Sequence, residues 1–61
     1  MQKKFEQRLY EVSLEIHRAG TANDCAAAED KRQALLDEAD AAGVDLYPVL
    51  IDIDEQARLD A

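Results

Sequence analysis

The sequence predicts an all-α protein: an antiparallel helical hairpin followed by a third short helix. Three observations lead to this prediction. Apolar residues recur every three or four positions near the start, strong helix formers fill the middle, and two glycines and one proline divide the chain into three segments. Sixty-one residues make one small domain, 1–61, and we expect helices at about 2–19, 22–42 and 46–59.

The first segment shows the clearest helical spacing. Five apolar residues follow one another at intervals of 4, 3, 4 and 3 and so share one helix face: Phe5, Leu9, Val12, Ile16 and Ala19. Gly20 comes next, and we expect it to end the helix in the left-handed conformation that glycine adopts without a Cβ penalty. The short break at Gly20-Thr21 predicts that the next helix reverses direction.

The second segment carries start and stop signals for a helix. Thr21 and Asp24 resemble a capping box, although Asn23 or Asp24 could act as the cap instead. Gly43 supplies a second C-terminal cap. Small and apolar residues form the inward seam, which Arg32 interrupts: Cys25, Ala28, Leu35, Ala39 and Ala42.

The third segment has features of both a strand and a helix. Residues 49–54 alternate partly, as a strand would. Four apolar residues are nevertheless spaced by 4, 3 and 4, namely Leu46, Leu50, Ile53 and Ala57. Asp45 can cap a helix, Pro48 fits a first turn, and a lone strand would have no partner. We therefore predict a helix.

Several apolar or aromatic residues lie away from these core faces. Either the third helix covers them and they complete an ordinary core, or they form an interface with another protein. A domain this small has a marginal core, which favours association, and a homodimer in particular. The predicted interface residues are Tyr10, Leu14, His17, Leu36, Tyr47 and Ile51.

The net charge of −7 argues against direct binding to nucleic acid or to an anionic membrane, since both need clustered lysine and arginine. A charge of this size is ordinary for a soluble domain. The alternative interpretation is a nucleic-acid mimic that occupies the basic cleft of a DNA- or RNA-binding protein. Its acidic face would consist of Asp37, Glu38, Asp40, Asp52, Asp54 and Glu55.

The residues that carry chemistry are too few for a catalytic or metal site. One cysteine excludes an internal disulfide, and one cysteine with one histidine argues against structural zinc. Three short helices do not build the pocket that an enzyme needs. We expect no enzymatic activity, no cofactor and no metal. The lone Cys25, placed in a helical first turn, fits a reducing cytoplasmic compartment.

In size, acidity and helical content, the whole chain resembles the small accessory proteins of temperate bacteriophages and other mobile elements. Many such proteins bind and redirect a host protein. The resemblance rests on no signature residue, so it assigns no functional position. Together these observations predict a small acidic regulator or adaptor that works by protein–protein interaction.

Overall fold

The computed structural model describes residues 2–61, which form three α-helices. They are α1 (Gln2–Arg18), α2 (Ala22–Ala41) and α3 (Tyr47–Asp60). Residues 2–61 contain no strand, so the all-α prediction is confirmed and the third segment is helical. Within this described range, no helix is both long enough and apolar enough to cross a bilayer.

The ends of α2 follow the cap chemistry that its sequence predicts. Thr21 is the N-cap, and its hydroxyl accepts a hydrogen bond from the backbone N–H of Asp24 at 3.1 Å. At the other end, Val44 N–H donates to the Ala39 carbonyl and Gly43 N–H donates to the Asp40 carbonyl, a Schellman motif. Gly43 has φ +79°, which explains why glycine stands there.

The prediction for Gly20 is wrong. Among residues 2–61, Gly43 alone has a positive φ, so Gly20 does not adopt the left-handed cap conformation. Helix α1 ends at Arg18, and Ala19 N–H donates to the Ile16 carbonyl in a tighter last turn. A short connection that leads directly to the extended Thr21 ends α1 without a left-handed residue.

Helix α3 begins with little help from a side-chain cap. Leu46 occupies the N-cap position and Pro48 lies in the first turn, where its missing N–H leaves no bond unmade. The Asp45 carboxylate accepts a hydrogen bond from the Tyr47 backbone N–H at 3.1 Å. Asp45 is therefore not the N-cap, but it satisfies one of the free donors at this end from the position before Leu46.

Helix α1 lies between the other two. It packs against both α2 and α3, whereas no Cα atoms of α2 and α3 approach within 8 Å of each other in the described chain. The core draws on α1, α2 and the residue before α3, and half-buried apolar side chains of residues 44–53 pack against it. Its members are Phe5, Leu9, Val12, Leu35, Leu36, Ala39 and Leu46.

Helix α1 carries two apolar stripes, and its central position explains them. The first consists of Phe5, Leu9, Val12 and Ile16, followed by Ala19 just after the helix, and the second of Tyr10, Leu14 and His17. The side that carries Arg8 and Glu15 faces α2, where these residues pair with Glu38 and Lys31. The side that carries Tyr10 faces α3, where the phenol pairs with Asp60. The second stripe is therefore covered in part by the chain's own third helix.

Ser13 is the one polar side chain in the described core. It is fully buried, and its hydroxyl has no hydrogen-bond partner in the described chain. We expect Ser13→Ala to raise the free energy of unfolding by about 1 kcal/mol, because it removes an unsatisfied hydroxyl and improves helix propensity. Urea denaturation with an unchanged m value checks this. A loss of stability would show that the hydroxyl has a partner in solution.

Candidate functional site

A groove of about 360 Å³ runs between α2 and α3, on the side away from α1. The buried Leu36 and the half-buried Leu50 contribute apolar surface to it. Arg32 and Gln33 on α2 and Asp54 and Glu55 on α3 add polar groups, and Tyr47 and Ile51 complete the lining. The groove therefore combines apolar surface with charged groups, which is the usual composition of a protein-binding surface.

The exposed large apolar side chains of the described chain all lie on α3. Ile51 is 79% exposed, Leu59 64% and Tyr47 58%. Tyr47 and Ile51 lie at the groove, while Leu59 lies outside it. Helix α3 thus presents an aromatic and an aliphatic side chain next to a concave apolar surface, and such surfaces commonly mark interaction sites.

The Asp54 carboxylate joins the three helices at one end of the groove. Its Oδ1 lies 3.0 Å from Nε2 of His17 on α1 and 4.0 Å from Nη1 of Arg32 on α2. All three side chains are partly buried. The cluster therefore links α3 to both other helices.

The six predicted interface residues fall into three groups. Leu36 belongs to the buried core, although its edge reaches the groove. Tyr10, Leu14 and His17 are half-buried, and the first and last of them hydrogen-bond to α3. Only Tyr47 and Ile51 are exposed. The structure thus leaves two of the six available as they stand for contact with a partner.

The contact between Tyr10 and Asp60 holds the end of α3 against α1. The Tyr10 hydroxyl donates to the Asp60 carboxylate, and Gln56 donates to the same carboxylate at 3.0 Å. These two hydrogen bonds lower the pKa of Asp60, the Tyr10 bond most. In turn, the Asp60 carboxylate raises the pKa of Tyr10.

We expect the Asp60 carboxyl group to titrate below about 3.9, the ordinary value for aspartate. Because its folded-state pKa is lowered, this contact stabilises the fold above the ordinary value and is lost as the pH falls through the folded value. Carboxyl titration by NMR measures the midpoint. Tyr10→Phe should raise that midpoint, while the control Tyr47→Phe should not; equal midpoints in all three proteins would contradict the contact.

The predicted acidic face is partly neutralised within the chain. Glu38 pairs with Arg8, Asp54 with Arg32, and Glu55 with Arg58. The arginine lowers the pKa of Glu55, and the carboxylate raises the pKa of Arg58. The other three acids have exposed side chains and form no ion pair within residues 2–61: Asp37, Asp40 and Asp52.

Two further groups, the Cys25 thiol and the Ser13 hydroxyl, lie in surroundings that limit their reactivity. Partial burial and the Glu29 carboxylate raise the pKa of Cys25, so the thiol is a poor nucleophile near neutral pH. Ser13 precedes His17 by one helical turn, but its buried hydroxyl makes no bond to the imidazole. In the described part of the chain, no three metal-ligating side chains come together.

A second groove, between α1 and α2, has a different character. Its larger section measures about 390 Å³ and is lined by Val12 and Leu35. The ion pairs Arg8–Glu38 and Glu15–Lys31 belong to the same lining, so charged groups of this chain surround the apolar surface. The groove between α1 and α2 therefore offers a partner less exposed apolar surface than Tyr47 and Ile51 offer at the α2–α3 groove.

The sequence does not predict three contributors to the α2–α3 groove, namely Arg32, Gln33 and Leu50. Arg32 interrupts the inward seam of α2, and its guanidinium lies near Asp54. Leu50 shares the apolar spacing of the α3 core face, yet it also lines the groove. Arg32 lies four residues before Leu36 on α2, and Leu50 lies four residues before Asp54 on α3. The spacing places each pair on one helix face, but only the arrangement of the helices shows that the two faces line the same groove.

The chain was compared with protein-family models, with curated proteins and with solved structures, and none of the three comparisons gives a match.

Proposed function

We propose that this chain is a non-enzymatic protein–protein interaction module and that the α2–α3 groove is its binding surface. The observation that carries the proposal is the exposure of Tyr47 and Ile51 beside an apolar groove. Tyrosine is among the residues that most often dominate binding energy. Burying two such side chains in a complex would remove a substantial apolar area from water.

The same proposal includes an antiparallel hairpin of α1 and α2 as the scaffold. The ion pairs Arg8–Glu38 and Glu15–Lys31 support it, because the numbers rise along α1 while they fall along α2. With α3 packed on the other side of α1, α2 and α3 become the two walls of the groove. The core then holds the walls apart, and the surface is formed before any partner binds.

A site-specific photo-crosslinker tests this surface. A benzoyl-phenylalanine residue at position 51 should form covalent adducts with a partner in the cells that make the protein. The same residue at Ala26, an exposed position on α2 outside the groove lining, is the matched control. Adducts at position 51 alone support the proposal, while adducts at neither position, or equally at both, contradict it.

Self-association is the form of interaction that the sequence favours, and we keep the homodimer as a proposal for the same surface. The exposed apolar residues of α3 support it. The net charge of −7 on each copy works against it. Light scattering over a concentration series separates the cases, since a monomer has a mass of 6.8 kDa and a dimer twice that.

The second candidate function is nucleic-acid mimicry, which the carboxylates without an ion pair favour: Asp37, Asp40 and Asp52. Capture by mimicry depends on charge and should fall steeply with salt, whereas apolar binding should tolerate salt. A pull-down at low and high salt compares the two. Ile51→Ser should abolish groove binding and leave mimicry intact.

The bacteriophage resemblance fits the first candidate, since redirecting a host protein requires a binding surface rather than a catalytic one. On the basis of the lone Cys25, we also propose that the protein works in a reducing, cytoplasmic compartment.

A further inference from the structure

We propose that the occupant of the α2–α3 groove is a cationic amphipathic helix of another protein. The inference rests on the proposed interaction function and names the chemistry of its partner. Two independent features of the structure lead to it: the arrangement of the three helices and the distribution of charge.

The helix arrangement leaves one position open. Helix α1 packs against both α2 and α3, whereas the Cα atoms of α2 and α3 stay more than 8 Å apart in the described chain and only side chains such as Arg32 and Asp54 meet between them. The groove between them is lined by just over one turn of α2, from Arg32 to Leu36, and by more than two turns of α3, from Tyr47 to Glu55. A helix laid opposite α1 would complete a four-helix arrangement and cover Tyr47 and Ile51. Amphipathic helices commonly bind grooves of this kind through apolar anchors at i, i+3, i+4 and i+7.

The charge of the groove walls selects a basic helix. Helices α2 and α3 together carry ten carboxylates and three basic side chains, which equals the whole net charge of −7. The groove lining itself carries two acids, Asp54 and Glu55, against one base, Arg32, and Glu55 also pairs with Arg58 outside the lining. Glu29 and Asp40 lie four residues from Gln33 and Leu36 respectively, and so on the same side of α2 as the lining.

A second copy of this chain carries the same negative net charge as the groove walls that it would approach. Two copies that joined through these walls would bring two net charges of −7 together. Such like-charge contacts oppose association, whereas lysine and arginine along the edges of a partner helix would be attracted and steered to the groove. Charge complementarity therefore favours a basic partner over a homodimer at this surface.

The test uses a synthetic, fluorescein-labelled peptide of about 18 residues, long enough to form a helix on binding. It carries leucine at i, i+3, i+4 and i+7 and lysine elsewhere. Fluorescence anisotropy should show binding that weakens as salt rises but persists at high salt, because the leucine contacts in the groove tolerate salt whereas binding by charge alone would fall steeply. A matched peptide with glutamate in place of lysine should not bind. Equal binding of the two peptides would overturn the charge argument.

Two variants of the full chain locate the binding. Ile51→Ser should weaken the lysine peptide at least about tenfold, because the anchor beside the groove is lost. Leu59→Ser removes a similarly exposed residue of the same helix outside the groove and should change affinity less than about twofold. Circular dichroism confirms that both variants keep their helices. Equal losses, or none, would show non-specific attraction and overturn the groove assignment.

The remaining outcomes separate this inference from the function on which it rests. If no peptide binds, yet the crosslinker at position 51 captures a second copy or a non-basic segment, the cationic helix is wrong and the interaction module stands. If position 51 captures nothing and no peptide binds, both are wrong.

Discussion

Leu9→Ala is expected to unfold a large fraction of the protein at room temperature. Leu9 is fully buried at the centre of the core cluster, on the helix that contacts both others. Removing its side chain leaves a cavity, and such changes cost about 2–5 kcal/mol. A single core of this size rarely supplies more than about 3–5 kcal/mol in total. The expected loss therefore equals most of the free energy of unfolding.

Thermal unfolding followed by circular dichroism measures this effect. The midpoint should fall by roughly 4–8 °C for each kcal/mol lost. Leu59→Ala makes the same chemical change at an exposed site on α3, so its effect should stay within about 0.5 kcal/mol. If the two variants melted at the same temperature, Leu9 would not be a core residue and α1 would not lie between its neighbours.

Ala57→Leu is expected to loosen α3 from α1. Ala57 is fully buried, and it is the one buried residue within the helical span of α3. A small side chain at a closed helix contact leaves no room for three additional carbons, and overpacking of this kind costs about 1–3 kcal/mol. Leucine is nearly as good a helix former as alanine, so the cost is one of packing.

Ala26→Leu on α2 serves as the control, because that alanine is exposed and the helix propensity changes equally. Chemical denaturation should give a lower midpoint for Ala57→Leu and an unchanged one for Ala26→Leu. A stable Ala57→Leu variant would mean that α3 does not pack closely on α1, and the groove would then lose its fixed wall.

The sequence predicts the helices well because their signals are local. The Thr21 cap, the Gly43 motif and Pro48 in the first turn of α3 each act within a few residues. Gly20 is the exception, since a short loop can end a helix without a left-handed residue. From sequence alone, a helix that ends in a left-handed glycine cannot be distinguished from one that ends in a short loop when the N-cap of the next helix follows immediately.

The site is harder to predict because it depends on which helix lies in the middle. Two apolar stripes on α1 fit either a partner protein or a second contact within the chain. The structure places Tyr10 and His17 against α3 and Leu36 in the core. Tyr47 and Ile51 remain exposed in either case, because they lie off the face that packs on α1. The periodicity of a single helix identifies apolar residues that lie off its core face, but it does not show which other helix or protein covers them.

Chemical-shift mapping of the lysine peptide on the isotope-labelled protein tests the central claim most directly. The shifts should concentrate on groove residues of α2 and α3, with Leu36, Tyr47 and Ile51 among the most affected. Val12 and Ala34, which line the opposite groove, should stay unchanged. Shifts centred on Val12 and Ala34, or spread evenly over the acidic surface, would contradict the claim.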